Sequence, residues 1–218
     1  MSLPRRHAAL LACALLASCA AGQATPAPAP GAPATSETSH DMASHDMAAM
    51  DPMSAPVTIP DGAMYTEADV RFMQGMIAHH AQAIHMSRLA ANHQASPRLQ
   101  KLAGKIDQSQ VAEIRLMQEW LAAHGQWVAD TSSWRHMTMP GMVTAAQLEA
   151  LDASRGADFD QTYLRLMIQH HEGALAMVDT LFATPRAGQD VDISVFANDV
   201  QQVQTAEIGM MQQMLADQ

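Results

Sequence analysis

From Thr66 onward, apolar residues recur every three to four positions. Phe72, Met76, His79, Ala83 and Met86 fall on one helical face, and Met73, Ile77, His80 and Ile84 widen it. Thr66-Glu67-Ala68-Asp69 reads as a capping box, so the pattern predicts a helix from there to about Asn92. Pro97, after Ser96, opens a second helix with Ile106, Gln110, Glu113, Met117 and Trp120 in register, ending near His124 and Gly125. TAAQLEAL from Thr144 predicts a short helix. Two further long helices are expected over roughly Ala157 to Phe182 and Asp190 to Ala216, separated by the breaker PRAGQD. The intervening WVADTSSWRHMTMPGM follows neither the helical nor the strand period.

The helices repeat. A shift of 91 residues superimposes Asp69, Phe72, Met76, Ile77, His79, His80, Ala83 and Met86 on Asp160, Tyr163, Met167, Ile168, His170, His171, Ala174 and Met177. A shift of 94 superimposes Gln110, Glu113, Ile114, Met117, Gln118 and Leu121 on Gln204, Glu207, Ile208, Met211, Gln212 and Leu215. Each half, about 65–124 and 156–216, is a helical hairpin that cannot cover its own apolar stripe. Two packed hairpins give an all-α, antiparallel four-helix bundle over 63–218 with approximate internal two-fold symmetry.

The N-terminal part has another texture. Arg5 and Arg6 followed by a short apolar run read as a leader, and LASC ending at Cys19 reads as a lipobox with Cys19 as the lipidated residue. Secretory cleavage near Ala20 and Ala21 is the rival reading. Both export the chain; the first makes it a periplasmic lipoprotein, with outer-membrane anchoring favoured by Ala20. Residues 20–62 are rich in Ala, Pro, Ser and Thr and are expected to form a disordered tether. Within it, a tandem SHDMA repeat presents His40, Met42, His45 and Met47.

Composition narrows the chemistry. The net charge is -10, with no basic footprint for nucleic acid. Both cysteines, Cys13 and Cys19, lie in the leader, which leaves no disulfide and no thiolate metal site in the folded part. Sulfur is supplied instead by 18 methionines, against four phenylalanines. Methionine is a flexible core filler and also a soft ligand suited to Cu(I).

The doubled histidines carry the sharpest question. Adjacent helical residues lie about 100° apart, so His79 and His80, or His170 and His171, cannot aim at one spot. The apolar arc is centred between the members of each pair, and periodicity does not say which lies deeper. Glu113 and Glu207 sit on the apolar faces of the second and fourth long helices. One reading pairs these carboxylates with imidazoles across the core, with no metal. The other makes a histidine, a glutamate and a nearby methionine of each half a metal site. Met76 and Met167 lie one turn before the histidines, and Met86 and Met177 two turns after His79 and His170. Taken singly, each is better read as filling core space. His136, Met137, Met139 and Met142 cluster around Pro140-Gly141, as a sulfur site for Cu(I) or a methionine-rich plug on the bundle end. The SHDMA repeat could capture Cu(II) through His and Asp and Cu(I) through Met, or be merely a polar linker.

The twice-occurring Met-Ile-x-His-His-x-x-Ala-x-x-Met, with Glu-Ile-x-x-Met-Gln and Glu-Ile-x-Met-Met-Gln, resembles domain of unknown function family 305, over about Tyr65 to Leu215. HMTMPGM also looks like that family's methionine-proline-glycine loop. The resemblance implies an exported ferritin-like bundle and, through its CopM-like members, copper binding and copper resistance. It implies copper ligands at His79, His80, His170, His171, Met76, Met167, Met86, Met177, Glu113 and Glu207.

Three functions compete at this level. The first is an envelope copper buffer, carrier or resistance protein holding Cu(I) or Cu(II), with other copper-handling proteins as partners and the membrane reached only through lipid. The second is an interaction module whose polar core specifies the bundle. The third is a di-metal oxidase, which needs Glu-x-x-His on two helices; the only such spacing is Glu37 to His40, in the tether. No nucleophile–base constellation or phosphate loop is present, and no enzymatic role is expected.

Overall fold

The computed structural model describes residues 54–218; Cys19 and the SHDMA repeat, with His40, Met42, His45 and Met47, lie outside the described residues. The elements are α1 (Glu67–Leu89), α2 (Pro97–Ala123), a 3-10 turn (Ser133–Arg135), α3 (Ala145–Ala153), α4 (Gly156–Ala183) and α5 (Val191–Ala216). Local chemistry sets their ends. Thr66 and Asp69 form the expected reciprocal box at the start of α1, and Ser96 caps α2 with Pro97 in the first turn. Gly125, at φ +63°, follows the end of α2. Thr144 and Gln147 form a second capping box on α3, and the Asp190 carboxylate accepts from Asp192 and Ile193 at the start of α5.

α1 packs along α2, α4 along α5, and the two hairpins join through α1 against α4. This is the helical bundle that the repeat implies. The core divides into two clusters. One joins the first half of α1 to the second half of α4, with Val70, Met76 and Val178; the other joins the remaining halves, with Met86, Phe159 and Met167. His79 and His170 stand where one cluster gives way to the other. α1 is buried nearly all round, because the connection from α2 to α3 also lies on it: Gln74 Nε2 donates to the Trp127 carbonyl (2.9 Å), and the Gln82 amide exchanges two hydrogen bonds with Val143 (2.9 and 2.7 Å). No helix among the described residues is long and apolar enough to cross a membrane.

Two aspartates at repeat-equivalent positions latch the hairpins to each other. Asp69 on α1 accepts the Gly188 N–H of the α4–α5 loop (2.7 Å), while Asp160 on α4 accepts the Ser96 N–H of the α1–α2 loop (3.1 Å). Both carboxylates are buried, so their removal strands a backbone donor. Asp160→Ala is therefore expected to cost about 2 kcal/mol, or about 4–8 °C in melting temperature by calorimetry.

The packed part begins before residue 63. Ala55 is fully buried, Val57 and Ile59 pack on the first cluster, and Gln126 Nε2 donates to the Thr58 carbonyl at 2.7 Å. Ala55, Val57 and Ile59 alternate with polar or small residues, so one side of an extended chain is apolar. The small-residue bias of the tether as a whole masks this short pattern.

Candidate metal centre

All four doubled histidines are fully buried. The second member of each pair reaches the other helix of its own hairpin: His80 Nε2 donates to Glu113 Oε2 at 2.6 Å, and His171 Nε2 to Glu207 Oε2 at 2.7 Å. The first members meet each other across the α1–α4 seam, their ring centroids 3.8 Å apart and their planes 39° from parallel. Enclosure of α1 and the antiparallel α1–α4 crossing create this division, which helical period alone left open.

Burial pushes His79 down to about 3, helped by the neighbouring His80 and His171 and opposed by its bond to Pro140. His170 lies well below its ordinary value, through burial first and then the neighbouring imidazoles of His79, His171 and His80. Both are neutral at physiological pH. Burial would raise Glu113, but the His80 hydrogen bond first, and then electrostatic attraction toward His80 and His171, bring it below the ordinary carboxylate value. Its ionised oxygen can only accept, so Nε2 of His80 carries the proton.

Tautomer logic extends to the centre. His79 Nε2 lies 3.1 Å from the Pro140 carbonyl, an obligate acceptor. Nε2 therefore holds the hydrogen and Nδ1 holds the lone pair. Nδ1 of His79, His80 and His171 and both nitrogens of His170 are buried with no hydrogen-bond partner. A buried polar atom left unmatched costs about 1–3 kcal/mol. An imidazole whose far nitrogen is fixed by a carbonyl or carboxylate, with its other nitrogen free, has the support typical of metal-ligating histidine.

The methionine-proline-glycine segment lies across the same seam. Gly141, at φ +74°, rests against the α4 backbone at Gly173, where a side chain on either glycine would overlap the other strand of backbone. Gln169 Nε2 also donates to the Gly141 carbonyl at 3.3 Å. Gly75, one turn before His79, leaves a notch: a methyl there would sit 3.2 Å from the Met139 sulfur and 3.5 Å from the Met177 methyl. Two methionine side chains thus converge on α1 at Gly75, one turn before His79.

The remaining expected ligands disperse. Met76 and Met177 belong to the first core cluster, Met86 and Met167 to the second, so the methionines divide between clusters that span both hairpins. Met137 and Met142 line a separate cleft of about 580 Å³ with Gln82 and Trp134, and His136 is exposed. The loop methionines do not share one pocket, because the Gly141 seat and the Gln82 clamp on Val143 fix the chain between them. Among the described residues no three His, Cys, Asp or Glu converge into a ready-made site. The donors nearest in the chain that could supplement the imidazoles there are the thioethers packed at Gly75.

Gln110 and Gln204 were not singled out by residue chemistry. Each is buried with both amide atoms unmatched, one turn before Glu113 and Glu207 respectively. Their signal was available: a polar residue repeated on an apolar face at the 94-residue shift.

Residues 69–215 match the profile described as Domain of unknown function (DUF305). A Deinococcus radiodurans DUF305 fragment is similar at 30% identity and a TM-score of 0.61, over 71% of this chain and 99% of its own. A Streptomyces coelicolor DUF305 protein, proposed to be secreted, is similar at 29% identity and a TM-score of 0.60, over 69% and 93%. CopM in its Cu(I)-bound form is similar at 28% identity and a TM-score of 0.55, over 68% and 96%, and CopM is also solved with Cu(II). No curated protein matches the chain.

Proposed function

The chain belongs to the DUF305 family, and we propose that it is an exported copper-binding protein that buffers, carries or detoxifies copper in the cell envelope. The observation that carries this reading is the set of buried, unmatched imidazole nitrogens at the His79–His170 contact, with Met139 and Met177 converging one turn away. Imidazole and thioether are the donors that Cu(I) accepts, while imidazole and carboxylate suit Cu(II). The copper-bound forms of CopM support the choice of metal. The leader and lipobox support export, with lipid at Cys19 holding the protein to the outer membrane and the SHDMA segment acting in capture. Copper is cargo here, and the carboxylate-poor donor set favours a carrier over an enzyme.

His80–Glu113 and His171–Glu207 are also what a metal-free interaction module would use to satisfy its polar core. Titration separates the two readings. Anaerobic Cu(I) competition against a chelator, with Cu(II) in air alongside, is expected to show stoichiometric loading. Replacing His79 and His170 by glutamine should weaken Cu(I) by at least about ten-fold, equivalent to about 1.4 kcal/mol. Loss of all binding on deletion of the SHDMA segment alone would reduce the bundle to a scaffold.

A further inference from the structure

A second site is built from different chemistry. Between α1, α2 and the Ser133–Arg135 turn lies a cleft of about 480 Å³, within the range of small-ligand sites. Its apolar floor includes the buried Ile84 and Ile114, and its rim carries Arg88, Arg115 and Arg135. No carboxylate lines it, although the chain has 22 acidic residues against 12 basic ones. Among the described residues, Arg88 alone of the three is neutralised, by Asp107 at 2.8 Å outside the lining. Arg135 instead stands over the Trp134 ring, 4.9 Å from its centroid, and His85 lies against the same indole at 5.1 Å. Among the described residues Arg115 makes no ion pair.

We infer that this cleft binds a small organic anion with an apolar body, a carboxylate or a phosphate monoester, whose head is held by Arg115 and Arg135. Guanidinium forks match both heads bidentately, and the floor and Trp134 take the body. A polyanion is disfavoured, because the chain as a whole carries a net charge of -10. The inference is independent of copper.

The test uses the purified full chain with 1-anilinonaphthalene-8-sulfonate as a fluorescent probe, displaced by decanoate, decyl phosphate or neutral decanol. Displacement by decanoate alone identifies a carboxylate ligand, by decyl phosphate alone a phosphate ester, and by both a site that reads head charge. Each supports the site, provided decanol is at least ten-fold weaker. The Arg115→Gln/Arg135→Gln double variant, changed only at exposed positions, should bind the displacing anion at least ten-fold more weakly. Arg165→Gln, on the exposed face of α4, should bind as the parent does. Added salt should weaken binding in the parent and have little effect in the double variant. Equal displacement by decanol, or unchanged affinity in the double variant, overturns the inference.

Discussion

Between pH 7.5 and pH 5 the metal-free protein is expected to lose about 4 kcal/mol of stability. The cause is proton uptake by the unfolded chain. An unfolded histidine titrates at 6.5, whereas folded His79 is held down to about 3 and folded His170 well below its ordinary value. Above pH 7 neither state binds these protons, and stability is flat. Below 6.5 the unfolded state takes protons that the seam refuses, at about 1.4 kcal/mol per pH unit for each histidine. Glu113, also lowered on folding, adds to the loss in the same direction once the pH falls below its unfolded value of 4.5. Native domains hold only about 5–15 kcal/mol in all, so the effect should be visible as a fall of about 8–16 °C in melting temperature. Calorimetry in chelator-treated buffer at several pH values checks it. A His79→Leu/His170→Leu variant should show a much flatter slope, and an equally steep slope would place the acid sensitivity elsewhere.

Gly173→Val is expected to be the most damaging single substitution at the seam. The added side chain overlaps the Pro140 carbonyl and the Gly141 backbone, and neither can swing aside as a flexible side chain could. The loop must lift, which breaks the Pro140–His79 hydrogen bond and moves Met139 off Gly75. Overpacking of this kind costs about 3 kcal/mol, or about 6–12 °C in melting temperature. Cu(I) affinity should fall at the same time, because the thioether and the tautomer-fixing carbonyl leave together. Gly209 on α5 supplies the contrast. A methyl there meets nothing within 4 Å, so Gly209→Ala should stabilise by about 0.5–1 kcal/mol through helix propensity alone. Thermal melts of both variants, with copper titration of the first, decide the matter.

The helices and their pairing were legible because they rest on local signals. Thr66 and Asp69 sit at capping spacing, Pro97 follows Ser96, and the 91- and 94-residue shifts carry whole apolar faces from one hairpin to the other. The histidine–glutamate pairs were legible as an alternative, since a buried carboxylate on an apolar face requires a partner. What periodicity left open was the direction of each imidazole, which depends on how α1 crosses α4. Nor could it show that Met76 would join Met177 rather than Met86, because that follows from the antiparallel seam. The path of the connection was hidden for a related reason. Gly75 and Gly173 look like ordinary helix glycines until the Met139–Gly141 segment is laid against them. The Asp69 and Asp160 latches were visible as a repeated pair but not as contacts, since their partners are backbone groups in loops of the opposite hairpin.

The central claim is that neutral, unmatched imidazoles at the α1–α4 seam, with adjacent thioethers, hold a soft cation. X-ray absorption at the copper edge on the Cu(I)-loaded protein lacking the SHDMA segment tests it most directly. The expected spectrum is a mixed shell of imidazole nitrogen and thioether sulfur that loses its nitrogen component in the His79→Gln/His170→Gln variant. A sulfur-only shell, or a spectrum unchanged by those two substitutions, would contradict it.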